Sequence, residues 1–112
     1  NRMSVSLKGF HEKYVTMAAG ESCTPGSPVE VTADNTASDC ADGGFAGVCA
    51  AREGDLALVQ VTGHMTIPAA DGLALGTRMV EMAGGKLAAA ATGGRPAIVT
   101  ALAEATAEIV LL

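Results

Sequence analysis

Apolar and polar residues alternate with a period of two along much of this chain. In residues 56–67 the odd-numbered positions are apolar or glycine and the even-numbered ones mostly polar, which predicts a long strand with one face on a core. Gly63 interrupts the apolar face, as glycine does where a strand bends or bulges to close a barrel. Pro68 cannot donate to a ladder, so this strand should end beside it.

Shorter runs of the same kind predict further strands, about eight in all. They are residues 14–17, 29–33, 45–51, 77–83, 86–91, 97–103 and 108–112. Residues 88–91 and 101–107 are open to a second interpretation, because alanine, leucine and glutamate are strong helix formers. Both segments are short and lie close to glycine pairs or β-branched residues, which favours strands.

Turn signals separate these runs. The pattern Ala-Asp-Gly-x-x-x-Gly occurs at residues 41–47 and again 29 positions later at residues 70–76, and Asp-Gly is typical of a reversal of direction. Residues 52–55 and the Gly84-Gly85 and Gly93-Gly94 pairs predict further turns. Longer connections are expected at residues 21–28, which contain two prolines, and at the polar residues 34–39.

No segment has the pattern of a long amphipathic helix. The prediction is therefore an all-β fold, a small barrel or sandwich of about eight short strands, as a single domain over residues 11–112. Residues 1–10 are weakly patterned and are expected to form an extended N-terminal arm that precedes this domain.

Composition limits how well an isolated copy of this domain is stabilised. The chain has 112 residues and is 49% hydrophobic, but 22 residues are alanine and only Phe10, Phe45 and Tyr14 are aromatic. A core of small aliphatic side chains buries less area per residue than an aromatic one. We expect modest stability for one copy and additional burial between copies in an oligomer.

The charge balance argues against two classes of partner. Twelve acidic residues outnumber seven basic ones, giving a net charge of −5, and the basic residues are scattered. Nucleic-acid binding needs a concentrated positive surface and, for single strands, aromatic platforms. No apolar run reaches the ~20 residues of a membrane-spanning helix. Neither nucleic acid nor a membrane is an expected partner.

The three cysteines, Cys23, Cys40 and Cys49, contain no Cys-x-x-Cys pair. With His11 and His64 distant in sequence, the spacing does not indicate a metal site. Cysteines in a reducing compartment commonly serve as small buried hydrophobes. A disulfide between Cys23 and Cys40, flanking the strand at 29–33, remains an alternative.

The sequence does not contain a set of residues that predicts catalysis. His64 lies on the polar face of the long strand, without a carboxylate that the spacing would place beside it. There is no Gly-x-Ser-x-Gly nucleophile motif, and the glycines do not form a dinucleotide-binding motif. Asp42 and Asp71 are explained as turn formers. We expect a non-enzymatic protein without a cofactor or a bound metal.

Two binding functions are alternatives. Residues 81–86 are superficially similar to the lysine-bearing hairpin of biotinyl and lipoyl carrier domains. The biotinyl pattern places methionine on both sides of the lysine, whereas Lys86 lies between Gly85 and Leu87. A small-ligand-binding barrel would need convergent polar groups in an enlarged interior, and the predicted inward faces are apolar and small.

The order of short motifs resembles the small capsid decoration, or cement, proteins of tailed bacteriophages. The resemblance covers about residues 12–112 and rests on the segments Val29-Glu30-Val31-Thr32, Asp42-Gly43-Gly44-Phe45-Ala46-Gly47-Val48, Leu58-Val59-Gln60-Val61-Thr62-Gly63, Leu75-Gly76-Thr77-Arg78, Gly94-Arg95-Pro96 and Ile109-Val110-Leu111-Leu112. It implies a β-barrel without catalysis, made in the bacterial cytoplasm and bound to the major capsid protein on the outer surface of the virion head. It also implies a homo-oligomer, commonly a trimer.

Two groups of residues are candidates for these contacts. Leu56 and Leu58 are neighbours on the otherwise polar face of the long strand, which predicts a covered apolar patch at a subunit contact in a trimer. The arm alternates in a way that suits an edge strand added to a capsid protein. Its candidate capsid-binding residues are Arg2, Met3, Val5, Leu7, Lys8 and Phe10.

Overall fold

The computed structural model describes residues 12–112. The predictions for the N-terminal arm, residues 1–10, lie outside this range. The described chain forms nine strands without a helix, which confirms the all-β prediction. The strands are Lys13–Ala19 (β1), Pro28–Ala33 (β2), Thr36–Asp39 (β3), Gly47–Glu53 (β4), Leu56–Pro68 (β5), Gly76–Ala83 (β6), Lys86–Ala89 (β7), Arg95–Ala103 (β8) and Thr106–Leu111 (β9).

The ninth strand is β3, where the sequence predicts a polar connection. Only residues 34 and 35 form the turn between β2 and β3. Asn35 in this turn has a positive φ of 54°, a conformation that asparagine tolerates. In β3 only Ala37 is fully buried, so the apolar signal is too weak to be recognised from the sequence. Residues 88–91 and 101–107 are not helical.

The first half of the chain closes on itself as a ring of five strands. Antiparallel pairing joins β3 to β2, β2 to β4, β4 to β5, and β5 to β1. The ring is completed by a short parallel pairing of β1 with β3, at Ala18–Thr36 and Ala19–Ala37. A closed ring with an odd number of strands needs at least one parallel pair. We call β1–β4 with residues 56–62 of β5 the first ring.

The second half repeats this arrangement with the remainder of β5. Residues 63–68 pair with β9, which is followed by β8, β6 and β7. A parallel bridge between Ala69 and Leu87 brings β7 back to the end of β5. We call this the second ring. Gly63 lies where β5 passes from one ring to the other, with φ of 97°, as expected for a bend.

The two rings correspond at a spacing of 50 residues. The two-residue turns at 34–35 and 54–55 match those at 84–85 and 104–105. Register shifts between Cys49 and Ala51 in β4 and between Val99 and Ala101 in β8 match as well. The sequence repeat at a spacing of 29 residues therefore marks two unrelated connections, β3 to β4 and β5 to β6.

Each ring encloses its own apolar cluster. The first contains Cys23, Val29, Ala37, Cys49, Ala57 and Val59. The second has bulkier side chains at matching positions, among them Leu73 in place of Cys23, Leu87 in place of Ala37 and Ile109 in place of Val59. It also includes Phe45 from the first half of the chain, so the halves pack against each other.

Candidate interaction surfaces

The predicted subunit-contact residues Leu56 and Leu58 lie together on the outer face of the first ring. Leu58 is paired with Thr16 on β1 and Ala51 on β4, and Leu56 with Glu53 on β4. Both leucines are exposed, at 55% and 38%. Together the five residues line an open depression of about 380 Å³. We call these five residues the leucine patch.

Tyr14 extends this exposed face along β1. It pairs with Gln60 on β5, two positions from Leu58, and is itself exposed. Its hydroxyl donates to Glu12 Oε1 at 2.8 Å, and this hydrogen bond, together with desolvation and the charge of Glu12, raises the pKa of Tyr14. Tyr14 therefore adds an exposed aromatic ring, a residue type enriched in protein interfaces, to the strand face that carries the leucines.

His64 has a carboxylate partner that the sequence does not predict. Its Nε2 lies 3.0 Å from Oε1 of Glu108, which is 44 residues away in sequence. The two side chains meet because β5 pairs with β9 and Glu108 lies opposite Thr66, two residues from His64 on the same face. Both side chains are partly exposed. The arrangement is a cross-strand ion pair when the histidine is protonated, and such pairs stabilise sheets modestly.

All three cysteines are free and buried, as the prediction of small buried hydrophobes requires. Cys23 and Cys49 lie together in the first ring, whereas Cys40 belongs to the cluster of the second, so the alternative pairing of Cys23 with Cys40 is not formed. Desolvation, with a smaller effect from the adjacent Cys23, raises the pKa of Cys49 to about 11. A protonated, buried thiol is a poor nucleophile.

Asp39 fixes the loop that leads into β2. It accepts hydrogen bonds from Ser22 Oγ at 2.8 Å, from the Thr24 amide at 2.9 Å and from Thr24 Oγ1 at 2.9 Å. Burial is the largest single effect on Asp39 and raises its pKa, but these hydrogen bonds and the charge of Arg52 outweigh it. The pKa is therefore below its usual value.

Asp42 and Lys86, two further polar residues considered from the sequence, both lie at the turn between β6 and β7. Asp42 Oδ1 accepts a hydrogen bond from the Gly84 amide at 3.0 Å, so this aspartate joins the two halves. Lys86 is exposed at the start of β7, directly after the Gly84-Gly85 turn.

Within residues 12–112, no cluster of three or more His, Cys, Asp or Glu side chains could hold a metal ion. In the same range, no helix is long and apolar enough to cross a membrane.

Arg95 occupies the position that matches Phe45 at a spacing of 50 residues. Its guanidinium donates to the carbonyl oxygens of Ala46 and Val61, and to that of Leu112 at 3.4 Å. Burial lowers the pKa of Arg95. Because these contacts direct the cation to backbone carbonyl oxygens, Arg95 cannot fill an apolar space as Phe45 does in the second ring.

Neither a scan against protein-family models nor a search of curated proteins finds a match to this chain.

Proposed function

We propose that this protein is a capsid decoration, or cement, protein that binds the outer surface of a tailed-bacteriophage head as a homotrimer. The observation that carries the proposal is the leucine patch, an exposed and largely apolar depression on an all-β body. The resemblance of the strand motifs to phage decoration proteins supports the same function. The proposed partners are other copies of the chain and the major capsid protein.

The small side chains in the core of the first ring are consistent with this proposal. Small core side chains stabilise a single copy only modestly, so burying Leu56 and Leu58 between copies would add stability that the isolated chain lacks. A symmetric trimer also presents each capsid-binding surface three times. Weak individual contacts then combine into tight attachment through avidity. An excess of acidic residues keeps the unattached protein soluble.

Binding to phage heads tests this function directly. Heads assembled from the major capsid protein of the same phage, without decoration protein, are incubated with the purified chain and sedimented. The expected result is saturable binding at a fixed number of copies per head, together with increased resistance of the heads to heat. Absence of binding to such heads, or binding without saturation, would overturn the proposal.

The carrier alternative has one observation in its favour, the exposed position of Lys86 beside a two-residue turn. Intact-mass measurement of protein purified from its native host separates the two functions. We expect the mass of the unmodified chain. An added biotinyl or lipoyl group on Lys86 would favour the carrier function.

A further inference from the structure

Matching interior positions of the two rings differ greatly in exposure. The register shift between Val31 and Ala33 adds one residue to β2, so Val31, opposite Ala37, corresponds to Met82, opposite Leu87, at a spacing of 51. Val31 is 55% exposed and Met82 only 2%. Likewise Val15, opposite Val59, is 43% exposed, whereas the corresponding Met65, opposite Ile109, is 6% exposed. The first ring therefore has an apolar opening where the second ring is covered.

The cover of the second ring is residues 41–45 of the first half. Gly43 exchanges two backbone hydrogen bonds with Met82, of 2.8 Å and 2.7 Å. The turn that follows Met82 is held as well, since Gly84 donates to the Asp42 carboxylate and Gly85 to the carbonyl of Ala41, at 3.0 Å and 2.8 Å. Phe45 then enters the core of the second ring. An acidic-glycine-glycine-aromatic segment thus pairs with the second ring through a single antiparallel bridge at Gly43.

The matching edge of the first ring has room for such a segment. Pairing of β2 with β4 ends at Val29, so residues 30–33 have a partner strand only on the β3 side, among the described residues. Beside this edge is an open groove of about 480 Å³, lined by Glu30, Val31, Gly44, Phe45, Ala46, Gly94 and Arg95. We call it the β2 groove.

The geometry points to the β2 groove as a binding site for an extended segment of a partner protein. We propose that the segment adds as a short strand beside residues 30–33 and places an aromatic side chain over Val15 and Val31. Backbone hydrogen bonds of this kind supply affinity, and the side-chain contact supplies selectivity. The groove wall carries one charge of each sign, on Glu30 and Arg95, so selectivity rests on the aromatic contact rather than on charge.

A second copy of the chain is a poorer occupant of this groove. Residues 41–45, which have the required pattern, are already bound within their own chain. The corresponding residues 91–95 end in Arg95, whose guanidinium is held by the carbonyls of Ala46 and Val61. The described part of a second copy therefore lacks an available segment of this type. The proposal does not depend on the capsid function, because any partner with such a segment would fit.

Nuclear magnetic resonance on the full 112-residue chain tests this site. The probe is an end-blocked peptide, Ala-Asp-Gly-Gly-Phe-Ala-Gly, which copies residues 41–47. We expect saturable shifts of the Val15 and Val31 signals, with a dissociation constant on the order of 1 mM or below. A peptide with alanine in place of phenylalanine should bind about tenfold more weakly, because the aromatic contact is lost.

Two matched variants separate groove binding from a general surface effect. Val31→Lys should weaken peptide binding about tenfold or more, although its charge attracts the acidic peptide. Leu102→Lys changes another exposed apolar residue, on β8, and should leave binding unchanged. Thermal unfolding checks that both variants are folded.

The proposal is wrong if the peptide causes no saturable shifts or if both variants bind equally. It is also wrong if the same signals shift with protein concentration alone, which would indicate a second copy. Peptide binding that requires deletion of residues 1–11 would make the chain's own N-terminus the occupant.

Discussion

A methyl group added to Gly47 would lie 2.0 Å from the carbonyl oxygen of Gln60 and 3.1 Å from the Cα of Val61. Strands β4 and β5 therefore touch backbone to backbone, and the space admits only glycine. We expect Gly47→Ala to destabilise the protein by about 3 kcal/mol, because main-chain atoms must separate.

Thermal unfolding measures this effect, and Gly44→Ala is the matched control. No atom lies within 4 Å of the position of a methyl group at Gly44, so this variant should unfold close to the wild-type temperature. Equal unfolding temperatures for the two variants would contradict the close approach of β4 and β5.

Asp39 should make stability depend on acidity. Its pKa is lowered in the folded state, so its contribution to stability is complete above the unfolded-state pKa of about 4 and is lost as the pH falls through the lower folded-state value. Asp39→Asn should reduce stability at neutral pH by about 1 kcal/mol, and should flatten the loss of stability below about pH 4.

Denaturant titrations between neutral and acidic pH measure both effects. Asp34→Asn is the control, since Asp34 is exposed at the β2–β3 turn and the variant should keep close to the wild-type stability at neutral pH. An Asp39→Asn variant with the wild-type acid profile would show that the hydrogen bonds from Ser22 and Thr24 contribute little.

The leucine patch should govern self-association. Replacing Leu56 and Leu58 together with lysine would place charges in the proposed interface, which must exclude water, so the proposed trimer should dissociate. Sedimentation velocity measures the change, and Leu102→Lys, also exposed, is the control that should remain trimeric. A wild-type chain that sediments as a monomer at all accessible concentrations would contradict the predicted contact.

The N-terminal arm should contribute to capsid attachment. Deleting residues 1–9 removes Arg2, Met3, Val5, Leu7 and Lys8 but no described strand. We expect the β domain to unfold at its usual temperature and capsid binding to weaken about tenfold or more. Equal binding of the truncated and intact chains to heads would show that the arm is not an anchor.

The strands with strong alternation were predictable from the sequence, and those defined by tertiary pairing were not. Residues 56–67 carry enough alternating positions to identify β5, including the bend at Gly63. β3 has four residues and one buried alanine, so its existence depends on the neighbouring strands. The proximity of His64 to Glu108 is likewise set by the register of β5 against β9, which local patterns do not encode.

The β2 groove could not be predicted because similar patterns acquire different surroundings. Val29-Glu30-Val31 and Val80-Glu81-Met82 both alternate in the same way. Only the second is covered, because Phe45 enters the second ring while Arg95 occupies the matching position beside the first. The sequence does contain a signal of the 50-residue repeat of the fold, because the pattern Ala41-x-Gly43-Gly44 recurs as Ala91-x-Gly93-Gly94.

The shared strand β5 also sets the order in which the protein can form during synthesis. The β2–β3 hairpin needs only neighbouring residues, but β1 has to wait for residues 56–62 before the first ring can close. Once these residues have left the ribosome, the rest of β5 extends from a completed ring as a template on which β9 later pairs. The rings should therefore form sequentially, with the first guiding the second, and a stall in translation before residue 56 would leave β1 without its antiparallel partner β5.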